Sequence, residues 1–141
     1  MFLLDTNVVS ELRPGKPQQS LAVRAWAGSV AANQMYLSAV TLLELELGVL
    51  RLARKDAPQS RMLRAWLSKV HQQFVNQVLP FDGDTALLCA PMHTPNPRSF
   101  RDSMIAATAH QHRLAVATRN TGDFEGLGIK LVNPWLNPPA D

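Results

Sequence analysis

The 141-residue chain carries 14 Lys and Arg residues against 11 Asp and Glu, a net charge of +3, and 46% of its residues are hydrophobic. This length suits one folded domain with a hydrophobic core, and the composition excludes general disorder. Cys89 is the only cysteine, which excludes an internal disulfide and any multi-cysteine zinc site.

Short hydrophobic runs alternate with longer helical patterns along the chain. This alternation is typical of a parallel sheet that is covered by helices on both faces. The predicted elements are, in chain order, a strand at 2–4, helices at 6–12 and 18–27, a strand at 35–38, helices at 41–54 and 60–78, a strand at 79–81, a helix at 85–92, a loop at 93–100, a helix at 103–112, and strands at 114–117 and 130–132.

Two of these elements rest on clear local signals. Hydrophobic residues recur at spacings of three and four from Leu63 to Val78, which predicts a long amphipathic helix. Pro95 and Pro97 stand two positions apart and exclude a helix in the segment before Arg101. The pattern as a whole predicts an α/β fold.

Four carboxylates occupy similar places in this pattern. Asp5 follows the first predicted strand, and Glu44 lies one turn into the helix after the second. Asp102 opens a later helix, and Asp123 lies in the turn after a strand. The carboxyl ends of parallel strands meet at one edge of a sheet, so these four side chains can converge there.

A cluster of carboxylates is unfavourable unless a cation neutralises it. An oxygen-rich cluster without sulfur or nitrogen ligands suits Mg²⁺ or Mn²⁺ rather than Zn²⁺. One such ion can activate a water molecule for phosphodiester hydrolysis, and a second, about 4 Å away, can stabilise the leaving oxygen. The acids therefore predict a site for one or two divalent ions.

Each acid also has a purely structural interpretation. Asp5 can cap the first helix, and Glu44 can form a capping box with Thr41. Asp102 can cap the helix that follows it, and Asp123 can be an ordinary turn acid. The joint placement of the four acids, rather than any single one, favours a metal site.

Four segments resemble, in order, the motifs of PIN-domain toxins of the VapC and FitB type. They are LLDTNVVSEL at 3–12, LSAVTLLELELG at 37–48, RDSMIAATA at 101–109 and ATRNTGDF at 117–124. The ending Asn133-Pro134-Trp135 resembles the FitB-like branch. The segments are spread along the chain from residue 3 to residue 124, and the resemblance covers essentially the whole chain. It therefore predicts residues 1–141 to be a single PIN domain.

The resemblance implies a PIN-like three-layer sandwich with a central, mainly parallel sheet of four or five strands flanked by helices. It implies an endoribonuclease that depends on Mg²⁺ or Mn²⁺ and is the toxin of a type II toxin-antitoxin pair. It also implies a homodimer and inhibition by a VapB-like antitoxin. Asp5, Glu44, Asp102 and Asp123 carry over as the metal ligands. Some relatives place the fourth acid at the position of Asn120, so Asn120 is an alternative fourth ligand.

Further candidates flank these acids in sequence. Three arginines can bind RNA phosphates or can form ordinary ion pairs: Arg98, Arg101 and Arg119. Three polar side chains can position the carboxylates or a water molecule: Thr6, Asn7 and Thr118.

Two other functions are consistent with parts of the pattern. A haloacid-dehalogenase-like phosphatase also begins with an aspartate after its first strand, but it needs a second aspartate where this chain has Asn7. A catalytically inert PIN module that binds RNA or a partner protein would gain nothing from four acids in one pocket. Both alternatives are therefore disfavoured.

The chain is expected to be cytoplasmic and to have no membrane partner. Only three apolar residues, ending at Leu4, follow Met1 before the first carboxylate, which is too short for a signal peptide. No stretch reaches the roughly 18 apolar residues that a membrane span needs.

Overall fold

Five short parallel strands form one sheet at the centre of the protein. The structure is a computed structural model, and it describes residues 1–136. The strands, in chain order, are β1 (Phe2–Leu4), β2 (Met35–Ser38), β3 (Val78–Leu79), β4 (Ala115–Ala117) and β5 (Leu131–Val132). Their spatial order is β3-β2-β1-β4-β5, so β1 lies at the centre of the sheet.

The link from β4 to β5 has only a 3₁₀ turn, but the strands before it are connected, as is usual in a parallel sheet, by α-helices. They are α1 (Thr6–Glu11), α2 (Leu21–Ser29), α3 (Ala39–Ala53), α4 (Ala57–Gln73), α5 (Gly83–Cys89) and α6 (Phe100–His112). Single 3₁₀ turns occur at Ala32–Gln34, Ala90–His93 and Thr121–Phe124. Within residues 1–136, no helix is both long enough and apolar enough to cross a membrane.

The two faces of the sheet carry separate hydrophobic clusters. Successive side chains of a strand point to opposite faces, so Leu3 and Leu4 enter different clusters. Leu4 packs with Leu37 under α1 to α4, whereas Leu3 packs with Ile105 under α6. Helices therefore cover both faces, which confirms the predicted three-layer α/β architecture with a parallel sheet.

The helix after β2 begins earlier than predicted, at Ala39 instead of residue 41. Ser38 caps it, because its hydroxyl accepts a hydrogen bond of 3.0 Å from the backbone N–H of Val40. Thr41 is buried inside the first turn. The capping box between Thr41 and Glu44 is therefore wrong, and Glu44 is free to take partners elsewhere in the fold.

The helix predicted at 60–78 runs instead from Ala57 to Gln73. Asp56 caps its start by accepting a hydrogen bond of 3.1 Å from the Gln59 N–H. Val78 belongs to β3, so the strand predicted at 79–81 also begins earlier. The periodic pattern continued through Val78 because this residue packs on the same cluster as Leu67 and Val70 of the helix.

The helix that carries Asp102 begins at Phe100 rather than at residue 103. Ser99 is its N-cap residue, and Asp102 lies in the first turn. The interpretation of Asp102 as the cap of this helix is therefore wrong. The remaining elements begin and end within three residues of their predicted bounds.

Candidate active site

The carboxyl ends of β1, β2 and β4 bring the predicted site residues to one edge of the sheet. Asp5 directly follows β1, and Thr118 directly follows β4. The Asp5 N–H donates a hydrogen bond of 2.9 Å to the carbonyl of Ala117, so the pairing of these strands continues to the site. Glu44 and Asp102 reach the same edge from α3 and α6.

Asp5 is the most deeply buried acid of the site, with 1% of its side chain exposed. One oxygen, Oδ1, accepts a hydrogen bond of 2.8 Å from the Thr6 N–H and so caps α1. The other oxygen, Oδ2, accepts bonds from the Thr118 hydroxyl at 2.8 Å and from Asn7 Nδ2 at 3.4 Å. The helix-capping interpretation is thus confirmed, and the same carboxylate also faces the other acids.

The guanidinium group of Arg101 lies at the centre of the site. Its Nε donates a hydrogen bond of 2.7 Å to Glu44, and its Nη1 donates one of 2.6 Å to Asp102. Its Nη2 donates to Oδ1 of Asp5. Each of the three nitrogens therefore contacts a different carboxylate, and the three acids surround one cationic group.

Glu44 is held from two sides. Its Oε2 accepts the bond from Arg101, and its Oε1 accepts a bond of 2.6 Å from the Thr6 hydroxyl. Thr6 thus links the start of α1 to the first turns of α3. The orientation of Glu44 follows from this tertiary contact rather than from its own helix.

The Thr118 hydroxyl belongs to a small polar network behind Asp5. It donates to Asp5 and accepts bonds from Asn7 Nδ2 at 3.4 Å and from the Asn120 N–H at 3.0 Å. The Oδ1 atom of Asn7 in turn accepts a bond of 3.1 Å from the backbone N–H of Arg119. This network connects the turn after β4 to the buried carboxylate.

Burial and neighbouring charges act on the acids and on Arg101. Burial, together with the negative charges of Asp123 and Asp5, raises the pKa of Asp102 although Arg101 opposes the shift. Burial disfavours the charge on Arg101, but the hydrogen bonds and charges of Glu44 and Asp5 outweigh it and hold its pKa above the ordinary value. The site therefore has more negative charge than one guanidinium neutralises.

Asp123 is not hydrogen-bonded to the other acids in the part of the chain that the structure describes. It is exposed and lies in the 3₁₀ turn after β4, close enough to act electrostatically on Asp102. The side chain of Asn120 is exposed beside it. Three acids are thus brought together, and the fourth ligand stays a prediction at either position.

The two other candidate arginines have partners outside the acidic cluster. Arg98 Nη2 donates a hydrogen bond of 2.9 Å to the backbone carbonyl of Glu125. The Arg119 guanidinium lies 5.2 Å from the centre of the Trp135 ring. Both side chains have structural contacts, and their part in binding phosphate stays a prediction.

The chemistry of the three carboxylates fits an oxygen-preferring divalent cation. Their oxygens already surround a cation, the Arg101 guanidinium, and they carry an excess of negative charge. As arranged here, no three acidic, imidazole or thiol side chains within residues 1–136 enclose a position for a metal ion. Asp5, Glu44 and Asp102 stay the predicted ligands of such an ion.

A family model described as PIN domain matches residues 2–129 of the chain. The chain belongs to the PIN-domain family. The match covers all four acids and both strand ends that carry the polar network. It excludes the haloacid-dehalogenase-like alternative. That residues 1–141 form one PIN domain stays a prediction, since residues 137–141 lie outside the described part.

Several relatives of this PIN domain are similar over almost their whole length. Toxin FitB of Neisseria gonorrhoeae is 39% identical over 96% of this chain and 99% of its own. VapC ribonuclease Y4jK of Sinorhizobium fredii is 36% identical over 96% of this chain and 98% of its own. The sequence similarity is therefore not confined to the acidic segments.

Solved structures share the fold of this PIN domain. The crystal structure of FitAcB from Neisseria gonorrhoeae matches with a TM-score of 0.87 and 38% identity, over 97% of this chain and 100% of that chain. A toxin-antitoxin complex from Klebsiella pneumoniae matches with a TM-score of 0.68 and 28% identity, over 95% and 98%. The three-layer fold is thus shared with proteins of toxin-antitoxin complexes.

Every side chain that contacts the three clustered acids was already a candidate from the sequence. The sequence offered Arg101 as a ligand for phosphate or as an ordinary ion-pair residue. It did not predict that the guanidinium bonds Asp5 and Glu44 as well as Asp102. The only local signal was the adjacency of Arg101 and Asp102 in one helical turn. That adjacency is equally consistent with a solvated surface pair.

Proposed function

We propose that this PIN domain is a metal-dependent endoribonuclease and the toxin of a type II toxin-antitoxin pair. The observation that carries the proposal is the gathering of Asp5, Glu44 and Asp102 around one cationic group at the carboxyl edge of the sheet. The relatives named toxin and ribonuclease support it, because they align with nearly the whole chain.

The proposed cofactor is Mg²⁺ or Mn²⁺, held by these three acids together with Asp123 or Asn120. When bound, a divalent ion of this kind neutralises charge on a phosphate and lowers the pKa of water. The protein's own contribution is orientation. Thr118 and the Thr6 N–H fix the two oxygens of Asp5.

The proposed substrate is RNA, bound along the rim of the acidic edge. Arg98 and Arg119 are the candidate phosphate ligands, and each would exchange its present contact, with the Glu125 carbonyl or the Trp135 ring, for a phosphate. The proposed protein partners are a VapB-like antitoxin and a second copy of the chain. The antitoxin is supported by the toxin-antitoxin complex among the structural relatives. The proposed location is the cytoplasm.

The test is cleavage of structured RNA by the purified protein with Mg²⁺, with Mn²⁺ and with EDTA. Asp102→Asn is the informative variant, because 15% of its side chain is exposed and the substitution keeps the size of the residue. We expect it to lower the cleavage rate by at least about a hundredfold, since the loss of a group that only orients a metal ligand already costs about 10–100-fold. Cleavage by the wild type should stop in EDTA.

Asp84→Asn is the matched control, since Asp84 is an exposed aspartate in the first turn of α5, away from the three clustered acids. It should cut RNA at the wild-type rate, and circular dichroism should show the same fold for both variants. Expression of the wild type, but not of Asp102→Asn, should arrest bacterial growth. A folded Asp102→Asn variant that cuts like the wild type would contradict the site, and a wild type that binds but never cuts RNA would indicate the inert module.

A further inference from the structure

Arg101 occupies the position that a cation of the acidic site would take. Its three guanidinium nitrogens point in three directions, and each one meets a different carboxylate. The contacts to Glu44 and Asp102 are 2.7 and 2.6 Å long. A planar guanidinium carries N–H donors on all three of its nitrogens, so one such group can bond three acids at once.

A divalent ion and this guanidinium cannot occupy the site together. The ion needs carboxylate oxygens at roughly 2.0–2.2 Å. One oxygen of each acid now accepts a bond from Arg101, and the other oxygens of Asp5 and Glu44 accept bonds from Thr118 and Thr6, so an ion at the centre has to take oxygens from Arg101. The two cations would also repel each other strongly in a half-buried pocket. Binding of the ion therefore requires that the guanidinium leave.

The side chain of Arg101 is able to leave without disturbing Asp5 and Glu44. It is 30% exposed and is attached to the first turn of α6, so it can turn towards solvent by rotation about its own bonds. Asp5 keeps its bonds from the Thr6 N–H and Thr118, and Glu44 keeps its bond from the Thr6 hydroxyl. These supports do not depend on Arg101.

We propose that Arg101 is an internal competitor for the divalent cation, which closes the acidic centre of the metal-free protein and swings out when an ion binds. The inference rests on the metal site of the proposed function and adds how that site is regulated. The guanidinium relieves repulsion among the acids when no metal is present. It also reduces the apparent affinity for metal, which equals the intrinsic affinity multiplied by the fraction of time that the guanidinium is out of the centre.

The test is the affinity of purified protein for Mn²⁺, measured by the loss of the electron paramagnetic resonance signal of free Mn²⁺. Arg101→Gln should bind Mn²⁺ about tenfold more tightly than the wild type, as expected if the guanidinium occupies the centre about nine-tenths of the time. Its melting temperature in EDTA should fall, because three acids then lack their counter-charge, and Mn²⁺ should restore it.

Arg98→Gln is the matched control. It removes the same charge at a position three residues before Arg101, and the Arg98 side chain contacts a backbone carbonyl instead of the acids. Its affinity for Mn²⁺ should stay within about twofold of the wild type, the size of a screened surface effect. Arg101→Lys keeps the charge but has one nitrogen in place of three, so its affinity should lie between those of the wild type and Arg101→Gln. It also serves as the test if Arg101→Gln does not fold.

The outcomes separate this inference from the proposed function. If folded Arg101→Gln and Arg101→Lys bind Mn²⁺ no more tightly than the wild type, the competition is overturned while the metal site stands. If neither the wild type nor any variant binds Mn²⁺, the metal site is overturned and the competition falls with it. If Arg98→Gln also binds Mn²⁺ more tightly than the wild type, the tighter binding comes from the loss of any positive charge, and the specific role of Arg101 is overturned.

Discussion

Glu11 is a buried carboxylate that lies outside the acidic edge, at the end of α1. Its oxygens accept hydrogen bonds from Lys16 Nζ at 3.0 and 3.2 Å. Burial raises the pKa of Glu11. The hydrogen bonds from Lys16 and from the Ser20 N–H lower it, as do the positive charges of Lys16 and Arg119. These effects outweigh burial, so the pKa of Glu11 is below its ordinary value. This one residue ties the loop after α1 to the helix.

Glu11→Gln should lower the free energy of unfolding at pH 7 by about 1–2 kcal/mol, because it removes charged hydrogen bonds from a buried position. The pKa of Glu11 in the folded protein lies below its unfolded value of about 4.3. The stabilisation by Glu11 is therefore complete at pH values above about 4.3, and it is lost as the pH falls through the pKa of the folded protein. Urea unfolding at pH 7 and pH 3 measures both effects.

The difference between wild type and Glu11→Gln should therefore shrink at pH 3. Glu125→Gln, at an exposed glutamate, is the control and should change stability little at either pH. A difference for Glu11→Gln that is the same at both pH values would contradict the ion pair as its cause.

The last turn of α6 shows how an element is ended by its backbone. Arg113 follows the helix with a φ of 56°, in the left-handed region. The Leu114 N–H donates a hydrogen bond of 2.9 Å to the carbonyl of Ala109, and the Arg113 N–H donates one of 3.3 Å to the carbonyl of His110. The two hydrogen bonds together form a Schellman motif. Leu114 then turns into the second hydrophobic cluster. Glycine is the usual residue at the place of Arg113 because it lacks a Cβ.

Arg113→Gly should raise the free energy of unfolding by about 0.5 kcal/mol. Relief of the left-handed conformation is worth about 1 kcal/mol, and the greater freedom of glycine in the unfolded chain offsets part of it. Arg113→Ala is the control, since it removes the same side chain but keeps the Cβ. Thermal and urea unfolding should rank Arg113→Gly above Arg113→Ala, and the reverse order would contradict this account of the helix end.

The whole molecule is built on one sheet with a hydrophobic cluster on each face. The central strand β1 contributes Leu4 to one cluster and Leu3 to the other, so the loss of either cluster exposes β1. The three tryptophans, Trp26, Trp66 and Trp135, all belong to the cluster of Leu4. Fluorescence therefore reports on one face, whereas far-ultraviolet circular dichroism reports on all helices.

Leu37→Ala and Ile105→Ala remove fully buried side chains from the two clusters. Each should lower the free energy of unfolding by about 3 kcal/mol, as large-to-small core substitutions do. Because β1 couples the faces, the fluorescence and circular dichroism transitions in urea should coincide for both variants. If the circular dichroism of Ile105→Ala changes at a lower urea concentration than its fluorescence, the two faces of the sheet unfold separately.

Most of the architecture followed from local sequence signals. The alternation of hydrophobic runs and helical patterns predicted the parallel sheet, and Pro95 and Pro97 predicted the loop before the helix that carries Asp102. Asp5, Glu44 and Asp123 were candidates because they come after predicted strands that end at a common edge, and Asp102 because it opens a helix in one of the PIN-like segments. Local signals failed at Val78, since a strand residue and a helix residue that pack on the same cluster look alike in sequence.

The sequence by itself determined the fold class, the order of its elements and the acids that could form a site, because hydrophobic period and strand ends are local properties. Only the tertiary structure decided that Ser38 rather than Thr41 caps α3 and that Glu44 is held by Thr6. It alone decided that Arg101 turns into the acidic centre. The reason is physical: a long charged side chain follows the charges around it, and those come from segments far apart in sequence.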